Sequence, residues 1–385
     1  MSMLAAVYHG RRDLRIDRVE VPVPGPGEVL LEVHSAGICG TDASEWANGP
    51  MMLPIQTRNP HSGHLGPLTM GHEFGGRVVA QGVGVSGFPE GSLVACGAGI
   101  SCSDCDQCRQ GLTNFCVNYH TLGLQLDGGI AQYVVAPASI CLPVDHLGLT
   151  DDGAAIVQPM AIALHSMRQG TPERGEPAIV LGIGGIGAFL VHALSTFGAE
   201  VVAIDLDRSR LDIARSLGAK HTIEVDSTLD LAALIRNEVD GTIGLIYEVT
   251  GAPAVAAAAI EVLAPRGRLV LIGLSGAKIE VDTRSVTLRE LRLLGTNAHV
   301  FAADFPDAAE LISLGESRWG AVAPSALPLS GLVEHGIEPL VARESPSIKT
   351  LIDPHTAEIR TTSFRRASEE DSISARALSG PETNI

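Results

Sequence analysis

The chain has 385 residues, with 27 Lys and Arg against 44 Asp and Glu, for a formal net charge of −17. That length exceeds what a single hydrophobic core ordinarily fills, so two domains are expected. The acidic balance argues against nucleic acid and against anionic membrane surfaces, both of which call for basic clusters, and small molecules are the expected partners.

The opening segment MSMLAAVYHGRRDLRI lacks the basic segment, long apolar run and cleavage site of a signal peptide, so a cytoplasmic protein is expected. Short β-type runs such as VLLEVHSAG, GSLVACG and AQYVVAPASICLPV, broken by Gly and Pro, predict a mainly β domain over residues 1–155. From Ala178 the texture changes, with strand-like AIVLG, VVAID, LIYEVTG and RLVLIG alternating with helical runs, which predicts βαβ units on a parallel sheet over residues 156–299. The stretch 177–199 carries no charged residue and is long enough to imitate a membrane span, but its five glycines read instead as strand, turn and buried helix. Residues 300–354 are expected to return to the first domain. Residues 355–385, polar and Ser-rich, read as a flexible tail.

Four of the seven cysteines, Cys102, Cys105, Cys108 and Cys116, fall within one short run, while Cys39, Cys96 and Cys141 are scattered. Such spacing is unlike a secreted disulfide framework and lets four thiolates converge on one tetrahedral zinc. A closed four-sulfur site has no open coordination position, so its expected role is structural. Surface cysteines without metal and an iron–sulfur cluster are the alternatives.

The run Gly182-Ile-Gly184-Gly185-Ile186-Gly187 follows a strand-like segment and opens a helical one, and Asp205 ends the next strand-like segment. In that context the first glycine permits the tight turn, the second admits a pyrophosphate to the backbone, and the third lets helix and strand pack closely. Asp205 can accept from ribose hydroxyls and would repel a 2′-phosphate, which favours NAD over NADP. Arg208 and Arg210 weigh the other way if either meets a 2′-phosphate; a surface role at the helix start is the blander reading. Arg210, Thr250, Gly273 and Asn297 are counted with the cofactor site.

Three further pieces are individually plain: Gly37-Ile-Cys39-Gly-Thr41-Asp42, Gly71-His72-Glu73, and Ile156-Val-Gln158-Pro159. Taken in order with the cysteine lobe and the glycine run, they make residues 1–354 resemble the zinc-containing medium-chain alcohol and polyol dehydrogenases. Within that family the butanediol and sorbitol dehydrogenase branch is the nearest likeness, through the Gln158-Pro-Met-Ala-Ile-Ala-Leu-His165 context and the long insert from Ala47 to Met70. His61 and His64, in that insert, read as solvent-facing, with lining of the substrate pocket as the alternative.

The resemblance implies an α/β Rossmann domain with a doubly wound parallel sheet, joined to a mainly β GroES-like catalytic domain. It implies one catalytic and one structural zinc per subunit, a homodimer or homotetramer, and hydride transfer between a small alcohol or ketone and NAD(H). Cys39 and His72 would hold the catalytic zinc, and Thr41 would pass the proton outward. Two positions depart from the pattern: Gln158 stands where relatives carry glutamate, and Ser44 where they commonly carry histidine. Glutamine is the weaker ligand, so Glu73 is the first choice for the third place, with Gln158 behind it or ligating through water. Glu73 ligation would neutralise the site and leave a bound alcohol less acidic. Ser44 cannot store a proton as imidazole does, so the relay from Thr41 should end in water or another residue. A glucose-type sugar dehydrogenase, a catalytically silent NAD-binding relative and, more remotely, a zinc-ribbon module are the competing readings.

Overall fold

A computed structural model describes residues 1–226 and 230–364, with 316 and 317 by their backbone alone. Two compact units emerge, one of Met1–Ala161 plus the segment that resumes at His299, the other of Ile162–Ala298. The helix Val157–Gly170 runs through the first junction, so Gln158 belongs to the first unit and not to the parallel-sheet domain expected to begin at 156.

In the second unit six parallel strands pair in the order His221–Glu224, Glu200–Asp205, Pro177–Leu181, Leu245–Glu248, Arg268–Leu271, Arg292–Gly295. Chain order reverses between Pro177–Leu181 and Leu245–Glu248, the point where an open α/β sheet leaves a crevice beyond its strand ends. The sequence sets these elements locally. Ile179, Leu181, Ile204, Ile246 and Leu269 pack in one core, as runs buried on both faces must. Asp207 and Asp230 cap the helices Arg208–Ser216 and Leu231–Glu238 by accepting from Ser209 N at 2.8 Å and Ala233 N at 3.1 Å. The uncharged stretch that imitates a membrane span resolves into the strand Pro177–Leu181 and the helix Gly187–Phe197, which ends at left-handed Gly198. Among the described residues no helix is long and apolar enough to cross a membrane.

The first unit is built on an eight-stranded, mostly antiparallel sheet. Its path runs Cys141–Pro143, Leu93–Cys96, Glu73–Gln81, Glu28–Gly37, Leu351–Asp353, Ser325–Pro328, Arg360–Thr361, with Tyr133–Pro137 also paired to Glu28–Gly37. Alternation along Glu28–Gly37 turns Val29, Leu31 and Val33 into a core shared with Phe74, Val78, Val94 and Val134. Ser2–Gly10 forms a smaller sheet with Asp13–Glu20 and Leu68–Thr69, and Gly99–Ile100 pairs with His120–Thr121 at the base of the cysteine lobe.

The polar segment after Pro354 corrects the expectation of a tail beginning at 355. Arg360–Thr361 is a strand antiparallel to Ser325–Pro328, and Arg360 binds Asp152 through both oxygens at 2.8 Å and Asp353 at 2.6 Å. Charge pairing orders this stretch where apolar residues are scarce. The rest of the expected tail, from 365, lies outside the described residues.

Candidate metal and cofactor sites

The four lobe cysteines come from a loop, a one-turn helix and a 3₁₀ turn. Cys102 follows Gly99–Ile100, Cys105 precedes and Cys108 lies within Asp106–Arg109, and Cys116 follows Thr113–Phe115. All four are free thiols whose Sγ atoms lie within 4.8 Å of one another. The Cys105–Cys108 and Cys102–Cys116 sulfurs are 3.5 Å apart, far beyond a disulfide and close to the ~3.8 Å edge of a tetrahedron with 2.3 Å zinc–sulfur bonds.

Backbone amides point at the sulfurs: Cys102 N and Asn118 N donate to Cys116 Sγ at 3.2 and 3.3 Å, and Cys105 N to Cys102 Sγ at 3.4 Å. Amides of Cys108 and Val117 draw the Cys105 thiol down to about 6, and those of Asp104 and Cys105 lower Cys102. Burial pushes Cys108 up to about 11. A cage of sulfurs lined with N–H donors fits zinc, which takes thiolates.

The second group is assembled around the helix Gly40–Asn48. Cys39 occupies its N-cap, and buried Asp42 accepts from Cys39 N at 2.9 Å, fixing the cysteine. Asp42 Oδ1 also stands 3.6 Å from His72 Nδ1, and among the described residues neither atom has a partner within hydrogen-bond distance. Burial opposes a charge on His72, but the carboxylate of Asp42 and the thiolate of Cys39 outweigh it and raise the imidazole well above its ordinary range.

Cys39 Sγ, a His72 ring nitrogen and a Glu73 oxygen all lie within 4.8 Å of one another. Gly37 makes room for this: a Cβ there would overlap Glu73 Oε2, whereas left-handed Gly71 packs its backbone against Ile130. Soft sulfur, imidazole and carboxylate gathered around a buried histidine is a donor set that fits zinc.

The sequence did not disclose Lys349. Its buried ammonium donates to both Glu73 oxygens, at 2.9 and 2.7 Å, and to Ile38 O at 3.3 Å. Burial would discharge it, yet Glu73 and then Cys39 keep it charged, with its pKa above the usual lysine value. Glu73, the first choice from the sequence for the third ligand, is thus paired with a buried lysine. Gln158 is buried at the start of Val157–Gly170, Thr41 is half-buried, and Ser44 is exposed on a helix whose neighbouring Ala43 and Glu45 are buried. His61 is exposed, and His64 is half-buried with Nε2 near Gly66 O at 3.2 Å and Pro67 O at 3.1 Å.

In the parallel-sheet unit the glycine run is a turn from Pro177–Leu181 into Gly187–Phe197. Gly182 has φ +95°, a Cβ at Gly184 would meet nothing within 4 Å, and one at Gly187 would overlap the Gly182 carbonyl. Gly185 and Ile186 complete the turn, Ile186 as the N-cap.

Asp205 braces this turn, accepting from Ile183 N at 2.6 Å and from Asp207 N at 3.0 Å. Arg208 is engaged by Asp212 and Glu224, and Arg210 by Asp207 at 3.6 Å. A second acid the sequence did not single out, buried Glu248 at the end of Leu245–Glu248, accepts from Thr250 N at 2.7 Å, from Thr250 Oγ1 and from Gly251 N. Gly273 packs directly on Gly251, with no room for a Cβ, and Asn297 is exposed.

Residues 25–146 match the alcohol dehydrogenase GroES-like domain, and residues 185–313 the zinc-binding dehydrogenase domain. The chain is 30% identical over 355 residues to (R,R)-butanediol dehydrogenase of Bacillus subtilis, covering 92% of this chain and 100% of that protein. A crystal structure of 2R,3R-butanediol dehydrogenase from Bacillus subtilis superposes with a TM-score of 0.84 at 30% identity, over 92% of this chain and 100% of that one. A zinc-binding dehydrogenase from Sinorhizobium meliloti, crystallised with NADP, superposes at 0.81 with 27% identity, over 92% and 100%. The ordered motifs, the two folds and this near-complete coverage place the chain in the medium-chain zinc-binding alcohol and polyol dehydrogenase family.

Proposed function

We propose that the protein is a zinc-dependent dehydrogenase that moves hydride between a secondary alcohol, diol or polyol and NAD(H). The observation that carries this reading is the group of half-buried Cys39 with buried His72 and Glu73, three unlike donors within 4.8 Å beside a charged Lys349. Bound zinc supplies the Lewis acidity that makes an alcohol hydroxyl acidic near neutral pH, and the nicotinamide accepts the hydride.

The chain's residues do the rest. Cys39 and His72 would hold the metal, and Glu73, whose two oxygens both accept from Lys349 at 2.9 and 2.7 Å, would take the third place. Lys349 also answers the electrostatic objection to a glutamate ligand. A Cys39 thiolate and the Glu73 carboxylate would together balance a divalent ion, and the Lys349 ammonium would return one positive charge that favours loss of the alcohol proton. Thr41 relays the proton, which passes to water because Ser44 is exposed and is no imidazole. Gly184 would admit a pyrophosphate to the N-terminus of Gly187–Phe197, and the spare lone pairs of Asp205 would accept from the ribose.

The kinship with butanediol dehydrogenases supports a vicinal diol as substrate, and Asp205, with both nearby arginines committed to carboxylates, supports NAD. A panel of secondary alcohols, vicinal diols and aldoses, assayed for reduced nicotinamide with NAD and NADP, tests both. Diol oxidation with NAD is expected to be fastest. Preference for glucose would make the protein a sugar dehydrogenase, and no turnover of any alcohol with zinc bound would leave it a silent cofactor-binding relative.

A further inference from the structure

A third cluster of metal-binding side chains lies apart from both groups described above. Glu32 and His34 are two residues apart on Glu28–Gly37, on the face opposite the core residues Leu31 and Val33, so their side chains stand side by side. His355 joins them from just beyond Leu351–Asp353, which pairs with the same strand through Leu351↔Gly37 and Ile352↔Ala36. One ligand atom from each of Glu32, His34 and His355 lies within 4.8 Å of the other two.

The cluster is supported from outside. Tyr133 Oη donates to Glu32 Oε1 at 2.9 Å and leaves Oε2 turned to His34 Nε2 at 3.5 Å. The His34 and His355 rings stack at 4.9 Å, with the Tyr133 ring edge-on to His355 at 6.2 Å. Nearby Arg360 donates to the His34 carbonyl at 3.3 Å, but its charge is committed to Asp152 and Asp353. It therefore offers little repulsion to a cation.

We propose that Glu32, His34 and His355 form an accessory site for a divalent transition ion of the zinc class. Two imidazoles and a carboxylate suit such an ion and leave a position for water. Bonds of about 2.0–2.2 Å need the ligand atoms to close to roughly 3.3–3.5 Å, a rotation that exposed His355 and the partly exposed Glu32 and His34 can make. An ion here ties the segment after Pro354 to the central strand, and binding raises thermal stability with the logarithm of free metal concentration above its Kd.

Zinc content of the full-length protein, dialysed against a series of free Zn2+ concentrations, tests the site. The wild type is expected to hold one equivalent more than the His34→Ala/His355→Ala double variant. His355→Ala alone weakens that equivalent by at least about tenfold, and exposed His146→Ala leaves it in place. The four-cysteine and Cys39 groups are untouched in every variant and give the common baseline. Cu2+ substitution with electron paramagnetic resonance reads two imidazole nitrogens on the extra ion in wild type and none in the double variant. Equal metal content in wild type and double variant overturns the proposal, as does loss of the equivalent in His146→Ala, which marks scattered surface binding.

Discussion

At the scale of the residue, the Glu73–Lys349 pair decides how the candidate catalytic centre behaves. Both side chains are almost completely buried, and removing one partner of such a pair strands the other charge. Lys349→Met should therefore cost about 3–5 kcal/mol of unfolding free energy in zinc-stripped protein. The loss should shrink when zinc is restored, because the metal then answers Glu73. Denaturant unfolding with and without a chelator measures this, and the same loss in both states would remove Glu73 from the metal. Zinc content gives an independent check, since Glu73→Gln should lower it more than Gln158→Ala. Cys39, His72 and Glu73 were legible in the sequence because each sits in a short motif with neighbours that fix its backbone. Lys349 was not, because SPSIKT has no pattern of its own and its partner is 276 positions away.

At the scale of the element, the glycine turn separates two roles that one motif combines. Gly187 is needed for folding: a Cβ there would strike the Gly182 carbonyl, so Gly187→Ala should push the helix from the strand and lower the melting temperature. Gly184 faces open space, so Gly184→Ala should melt as the wild type does yet bind NAD more weakly by on the order of tenfold, about 1.4 kcal/mol, as its methyl fills the pyrophosphate's place. Calorimetric titration beside a thermal melt distinguishes them, and undiminished NAD affinity in Gly184→Ala would take the pyrophosphate away from this turn. The strand, turn and helix were legible because periodicity and glycine spacing are local properties. The bracing of the turn by Asp205 was not: the same side chain that reads as a ribose acceptor also accepts from Ile183 N, a contact that exists only once two parallel strands are paired.

At the scale of the whole molecule, the first unit is closed by the chain's return after the second, and Arg360 is the fastening. It joins Asp152, Asp353 and the His34 carbonyl, with Asp152 buried and 208 positions distant. A lone arginine in a polar stretch gives no sign of this, which is why the segment reads as tail. The chain's two tryptophans, Trp46 and Trp319, are both buried in the first unit, so their fluorescence reports that unit alone while far-ultraviolet dichroism reports both. Arg360→Met should lower the fluorescence midpoint in urea by the equivalent of about 2–3 kcal/mol, the range for a hydrogen-bonded charge left without its partner. Adding Asp152→Asn should recover part of that loss, since the stranded group is then neutral. NAD should instead raise the dichroism change that fluorescence does not follow, because the ligand stabilises what it binds. An unshifted fluorescence midpoint in Arg360→Met would mean that Leu351–Asp353 and its neighbours hold the returning chain without the arginine.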